Sequence, residues 1–245
     1  MPTDSVIESA TVLSIQRVEK FCGRQSGRTL LDVKPLVTVI DDALPDRQFE
    51  MLLRGIRLLR QERIRAGYQT TFWFDFDEPP SNLIELAALQ LRQHLPSWAR
   101  FTGVEWWLSR MRTSNVKVDF HRDRDNALFD STGTEAHPTV SSVLYLNECR
   151  GGLLAVTRDP PNPQNPAMAP DRHDFDLVTP AANRFVVFKG DLTHGVLDAK
   201  NQIPGQRLPT ERHWRLAVAI NFWRAAPQGV GSFINSKHYR RLALR

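Results

Sequence analysis

The chain is poor in cysteine. Its 245 residues contain two, Cys22 and Cys149, with no CxxC pair and no Cys/His cluster. That excludes a disulfide framework and a structural zinc site, and it fits a reducing compartment. Long apolar runs are missing as well. The first twenty residues are interrupted by Asp4, Glu8, Arg17 and Glu19, and no later stretch supplies the roughly 20 apolar residues that a membrane span needs. The expectation is a soluble, cytoplasmic protein. Basic side chains are not gathered into a stripe either. The net charge is +5, but the arginines are scattered, and the densest group is Lys237–Arg241 with Arg245. Dispersed positive charge steers anionic partners in general. Without aromatics interleaved in a basic stripe, nucleic acid is not the expected partner, and the terminal cluster is expected to be a solvated tail.

What is present changes character along the chain, with no internal repeat. Its hydrophobic content of 41% suffices for a substantial core, and residues 1–245 are expected to form a single domain. Residues 36–103 read as helical support. Val37–Ile40 is a candidate strand running into a turn at Asp41-Asp42. From Asp46 to about Arg65, apolar residues such as Leu52, Ile56 and Leu59 recur near the 3.6-residue period, which predicts a helix with Asp46 as N-cap. A second helix is predicted over Asn82–His94, before Pro96.

From position 104 the texture turns to short runs rich in β-branched and aromatic residues: 104–111, 116–121, 139–147, 153–157, 174–178, 184–190, 194–199 and 214–223. With helices confined to the N-terminal part, these runs predict an α+β, mainly β protein. Its core over 104–223 would be a jelly roll, or double-stranded β-helix, with supporting helices and a basic tail over 224–245. Residues 159–170 hold five prolines in twelve positions and are expected to form a surface loop or lid. Trp106 and Trp107 alternate across a strand, which sends one ring to the core and leaves the other for a pocket wall.

The segment Asp119-Phe120-His121-Arg122-Asp123 ends a predicted strand with His and Asp two positions apart. At strand spacing both side chains share a face and converge on one ion. A third ligand has to come from elsewhere, and His194, after another strand and its turn, is the candidate. Two histidines and one carboxylate on one face of an octahedron suit divalent non-haem iron and leave three positions open. Asp125 competes with Asp123 as the carboxylate, or faces the substrate together with Asn126. His137, His173, His213 and His238 neighbour prolines or charges and are expected at the surface.

Several stretches in this order resemble the 2-oxoglutarate-dependent dioxygenases of the prolyl hydroxylase type. They are Leu36–Glu50, Tyr145-Leu146-Asn147 leading to Gly151-Gly152, Asn183–Phe188 running into His194, and Trp214–Trp223. The resemblance covers roughly residues 36–223. It implies Fe(II) held by His121, Asp123 and His194, with 2-oxoglutarate and O2 as cosubstrates and ascorbate as a candidate reductant. It also implies that Arg215 pairs with the far carboxylate of 2-oxoglutarate and that Tyr145 adds a hydroxyl donor. An independent physical case supports Arg215, because a buried dianion needs a fixed cation and guanidinium matches carboxylate geometry. The 21-residue interval from His194 to Arg215 is long for that family, and it leaves Arg207 and Arg212 as rivals. Asp123 stands where related halogenases have a small residue, so the resemblance implies hydroxylation rather than halogenation and leaves desaturation and ring formation open.

The expected reaction is oxidation of an sp3 C–H bond in a small acidic molecule or a peptidyl side chain, with release of succinate and CO2. Arg110, Arg112, Arg122 and Arg124 flank the expected mouth and suit a carboxylate or phosphate, or are merely solvated strand ends. Two other classes stay open. One is a non-catalytic jelly-roll binding module. The other is a cupin-type metalloenzyme without 2-oxoglutarate, although the HxH cluster usual for it is absent.

Overall fold

The computed structural model describes residues 16–17, 35–59, 70–96, 99–112, 119–164, 175–197, 214–235 and 237–244. Among these residues, ten strands lie in two antiparallel sheets. The larger sheet has the order β2 (Val37–Ile40), β8 (Arg184–Lys189), β5 (Val140–Tyr145), β10 (Trp214–Trp223), β4 (Gly103–Arg112) and β3 (Phe72–Asp75). The smaller sheet runs β1 (Gln16–Arg17), β7 (Asp176–Val178), β6 (Leu154–Thr157) and β9 (Thr193–Val196). From β7 to β10 successive strands alternate between the sheets, and the arrangement is a double-stranded β-helix. Among the described residues no helix is long and apolar enough to cross a membrane.

The period-2 alternation of the strands decides which layer each side chain enters. On β4, Val104, Trp106 and Leu108 face the helical side, and on β10 Val218, Ile220 and Phe222 do the same. There they meet Leu52 and Ile56 of α1 (Asp46–Arg57) and Ile84 and Ala88 of α2 (Leu83–Leu91). The opposite faces of β4 and β10 turn inward, toward the smaller sheet. Trp106 is fully buried against Phe72, with ring centroids 4.7 Å apart, while Trp107 lines an internal cavity.

Several elements differ from expectation. The first helix ends at Arg57, and Pro45 rather than Asp46 is its N-cap, with no side-chain cap bond. A proline at that position sets the entry of the chain without needing its own N–H. Asn82 caps α2, its Oδ1 accepting from the backbone of Ile84 and Glu85 at 2.9 and 3.0 Å. β3 is an addition: Phe72-Trp73-Phe74-Asp75 pairs with β4, and Trp73 also bridges Ser232. Cys22, His173, Arg207, Arg212 and His213 lie outside the described residues, as does part of the proline-rich segment.

The expected solvated tail is only half that. Arg240 and Arg241 are exposed, yet Phe233, Tyr239 and Leu242 pack into the helical core. Charged heads stay in water while the apolar residues between them seal the outer face of the sheet. Leu242→Ala is therefore expected to destabilise the protein by about 2–4 kcal/mol, whereas Arg241→Ala stays within about 0.5 kcal/mol. Urea denaturation of the two variants checks the pair.

Candidate metal centre

His121 and His194 stand 73 positions apart in sequence and directly opposite one another in space. Their backbones exchange both hydrogen bonds, His121 N–H to His194 C=O at 3.0 Å and His194 N–H to His121 C=O at 2.9 Å. The predicted strand before His121 is not what aligns it. Residues 116–118 lie outside the described residues, Asp119 and Phe120 are not in a strand, and His121 makes a single bridge. Orientation comes instead from Phe120, which is 1% exposed and packs with Leu153, Ala155, Leu177 and Leu197 on the outer face of the smaller sheet. With Phe120 held there, His121 turns inward. Gly195 permits this packing, since a Cβ at that position would lie 3.0 Å from the Phe120 ring.

Asp123 completes the cluster. Its Oδ1 is 3.4 Å from His121 Nε2 and its Oδ2 is 3.5 Å from His194 Nε2. One donor atom from each of the three residues lies within 4.8 Å of the others. Each imidazole donates its Nδ1 proton to a backbone carbonyl, His121 to Asp119 at 2.7 Å and His194 to Leu192 at 3.1 Å. Both Nε2 lone pairs are thereby directed at the centre of the cluster. Asp123 Oδ2 accepts from Ser141 Oγ at 2.9 Å and Asn221 Nδ2 at 3.0 Å, and the Asp123 carbonyl accepts from His137 Nδ1 at 2.6 Å.

The electrostatics suit a cation. Burial alone would raise the Asp123 carboxyl, but the two imidazoles and the Asn221 amide outweigh it and hold the group well below the usual carboxylate range. Burial pushes His194 down to about 4, so its ring is neutral at physiological pH. At His121 burial also lowers the pKa, but the Asp123 carboxylate and the Asp119 carbonyl prevail and lift it above the ordinary histidine value. One formal negative charge with two nitrogen donors on one side of a cavity is a donor set for a divalent ion with open positions.

Those positions face two connected cavities. An inner one of about 290 Å³ lies between the sheets, and a wider one of about 980 Å³ opens outward. Trp107, His121, Asp123 and Asn221 line both, so the cluster stands at the neck. His121, with 42% of its side chain exposed, faces the outer side, and His194, with 10%, faces the inner one.

At the far end of the inner cavity lies Arg215, 3% exposed. Its Nε donates to the Gly152 carbonyl at 3.1 Å, and its Nη2 is 3.5 Å from the Tyr145 hydroxyl. Its guanidinium also stacks over the Tyr145 ring at 5.0 Å. Gly152 has φ 68°, and a Cβ there would come within 2.9 Å of Arg215 Cδ, so glycine is needed both for the turn and for the arginine. No carboxylate pairs with Arg215 among the described residues. Nearby, Ser109 Oγ is buried on the same wall without a hydrogen-bond partner. A buried cation and an orphaned hydroxyl facing one cavity mark an anion site. Tyr145 is fully buried behind Arg215 in the inter-sheet core rather than on the cavity wall.

The remaining candidates fall elsewhere. Asp125 is the N-cap of an unpredicted helix, α3 (Asn126–Thr132), its Oδ1 accepting from Leu128 N–H at 2.9 Å and its Oδ2 from Gln228 N–H at 2.7 Å. Those bonds occupy it, and Asn126 lines the outer cavity instead. Arg122 and Arg124 are also on that wall, whereas Arg110 stacks on Trp214 at 4.3 Å. His137 is half-buried as a support to Asp123 rather than at the surface. Ser141, Asn221, Ser109 and Glu105 are additions that sequence reasoning missed. The signal for Asn221 and Ser109 was parity, since they stand six and two residues along the inward faces of β10 and β4 from Arg215 and its register partner Met111.

A two-histidine, one-carboxylate cluster thus stands at the neck of a double-stranded β-helix, with a buried arginine beyond it. The model of the 2OG-Fe(II) oxygenase superfamily matches residues 106–223. No curated protein matches the sequence. Among solved structures, a prolyl-4-hydroxylase from Pseudomonas putida is 20% identical, covering 78% of this chain and 89% of its own, with a TM-score of 0.44. HygX from Streptomyces hygroscopicus, solved with nickel and 2-oxoglutarate bound, is 14% identical over 80% of this chain and 90% of its own, with a TM-score of 0.48.

One ionisable group on the outer wall gives a pH signature of its own. Burial, helped by the negative Asp123, pushes the Glu105 carboxyl up to about 7 from an ordinary 4.5. Because the folded value is raised, the native-state penalty is absent below about pH 4.5 and fully present above about pH 7. Glu105→Gln is expected to stabilise the metal-free protein above that range by up to about 3 kcal/mol. The gain should fade to nothing in acid, as urea denaturation at a series of pH values will report.

Proposed function

We propose that the protein is an Fe(II)- and 2-oxoglutarate-dependent dioxygenase that hydroxylates an sp3 C–H bond in a small molecule or peptidyl side chain bearing an acidic group. The observation that carries this reading is the convergence of His121, Asp123 and His194 within 4.8 Å at the neck of a cavity that ends in a buried Arg215. When bound, Fe(II) with 2-oxoglutarate and O2 supplies an oxidant strong enough for an unactivated C–H bond, consuming the keto acid to succinate and CO2.

The chain's own residues do the rest. His121 and His194 offer Nε2, with their tautomers fixed by the carbonyls of Asp119 and Leu192. Ser141 and Asn221 fix the Asp123 carboxylate. Arg215 takes the far carboxylate of the keto acid, with Ser109 as a second donor and Tyr145 as the stacked, hydrogen-bonded brace that aims the guanidinium. Burial raises the Tyr145 phenol further, so it stays a neutral hydroxyl. The inner cavity is walled by Leu154, Phe188 and Val196 and keeps this end dry. Arg122 on the outer wall suits an acidic group on the substrate, whereas Arg124 is 3.6 Å from Glu135. Neither a metal-free binding module nor a cupin accounts for a buried arginine with no acidic partner among the described residues.

With Fe(II), ascorbate and 2-oxoglutarate under air, wild-type protein is expected to release succinate and His121→Ala to release none above background; equal yields would remove His121 from the metal. Arg215→Ala should raise the 2-oxoglutarate concentration for half-maximal turnover by roughly 10- to 100-fold, and Arg212→Ala by less than about 2-fold; the reverse ranking would move the anchor. Since a proton on His121 competes with the ion, Mn(II) affinity measured by calorimetry should weaken as the pH falls from about 8 to about 6.

A further inference from the structure

The outer cavity carries one acid that neither the metal cluster nor an ion pair uses. Asp123 belongs to the cluster, and Glu135 is 3.6 Å from both Arg124 and His137. Glu105, on the inward face of β4, pairs with no cation among the described residues; Thr71 and Trp223 are its hydrogen-bonding neighbours. Its place is informative. In the β4–β10 register Glu105 lies directly opposite Asn221, whose amide holds Asp123 at 3.0 Å. Directly opposite residues of an antiparallel pair have their Cβ atoms about 5 Å apart. A group bound to Glu105 therefore sits beside the open side of the cluster.

Two residues on, Trp107 lines the same cavity and lies opposite Ala219, too small to cover an indole. A half-buried carboxylate with an aromatic side chain on one wall is the chemistry that recognises a protonated nitrogen. Across the cavity, Arg122 donates to Thr193 Oγ1 at 3.3 Å and has no acidic partner among the described residues. The outer cavity thus presents opposite charges on two walls.

Resting on the oxygenase reading above, we infer that the substrate carries a protonated amine next to the carbon that is oxidised, held by Glu105 against Trp107, and an acidic group farther out, received at Arg122. Glu105 is then the residue that sets specificity for amines over alcohols.

The test uses full-length protein loaded with Mn(II) and 2-oxoglutarate and a panel of amino acids of increasing chain length. Each is matched with the hydroxy acid of the same skeleton, and binding is measured by calorimetry. At least one amino acid is expected to bind ten or more times tighter than its hydroxy counterpart, equivalent to about 1.4 kcal/mol. Glu105→Gln should erase that preference and Glu105→Asp should keep part of it, while both retain Mn(II) and 2-oxoglutarate affinity. The inference falls if no amino acid outbinds its hydroxy acid, or if Glu105→Gln leaves the preference intact. Failure of wild-type protein to bind Mn(II) and 2-oxoglutarate at all would instead sink the oxygenase reading.

Discussion

The exchange of two backbone hydrogen bonds between His121 and His194 is the constraint on which the site depends. It closes a loop of 73 residues, and the entropy of that closure grows only slowly with length, so distant segments can be clamped by few interactions if the surroundings hold them. Here the surroundings are Phe120, inserted on the outer face of the smaller sheet, and Gly195, which makes room for its ring. Loss of this packing would free His121 to rotate outward while leaving most of the sandwich untouched.

Charge is distributed along the cavities with the same economy. Arg215 is buried at one end, the His121/Asp123/His194 cluster stands at the neck, and Glu105 faces Arg122 outside it. Buried charges without partners are costly, and among the described residues the buried Arg215 and the half-buried Glu105, of opposite sign, have no ion-pair partner on the walls of these spaces. Groups of this kind in a cleft mark candidate binding sites.

Much of this was legible in the sequence because the strands alternate so regularly. The runs at 104–111, 184–190 and 214–223 correspond to β4, β8 and β10, and the split of Trp106 from Trp107 followed from period two alone. What escaped depended on contacts between distant segments. β3 exists because β4 and Ser232 pair with it. α3 was hidden because Asp125 reads as a ligand as readily as it reads as a cap. The path into His121 is set by a buried phenylalanine rather than by strand geometry, and no local pattern announces that. Ser109 and Glu105 sit in a run that reads as ordinary strand, and their meaning appears only when Arg215 and Asn221 are seen in the neighbouring strand.

The register between β4 and β10 has one more consequence. Arg215 and Asn221 face the same way and are six residues apart, so strand rise sets their separation at about 20 Å. Lengthening that interval by one residue would send one of them into the helical layer, and only pairs of residues preserve both. The chamber can therefore grow or shrink in evolution only by quantised steps of about 7 Å. Finer adjustment to a bulkier or slimmer guest is left to side-chain size, at small wall positions such as Ala217 and Ala219.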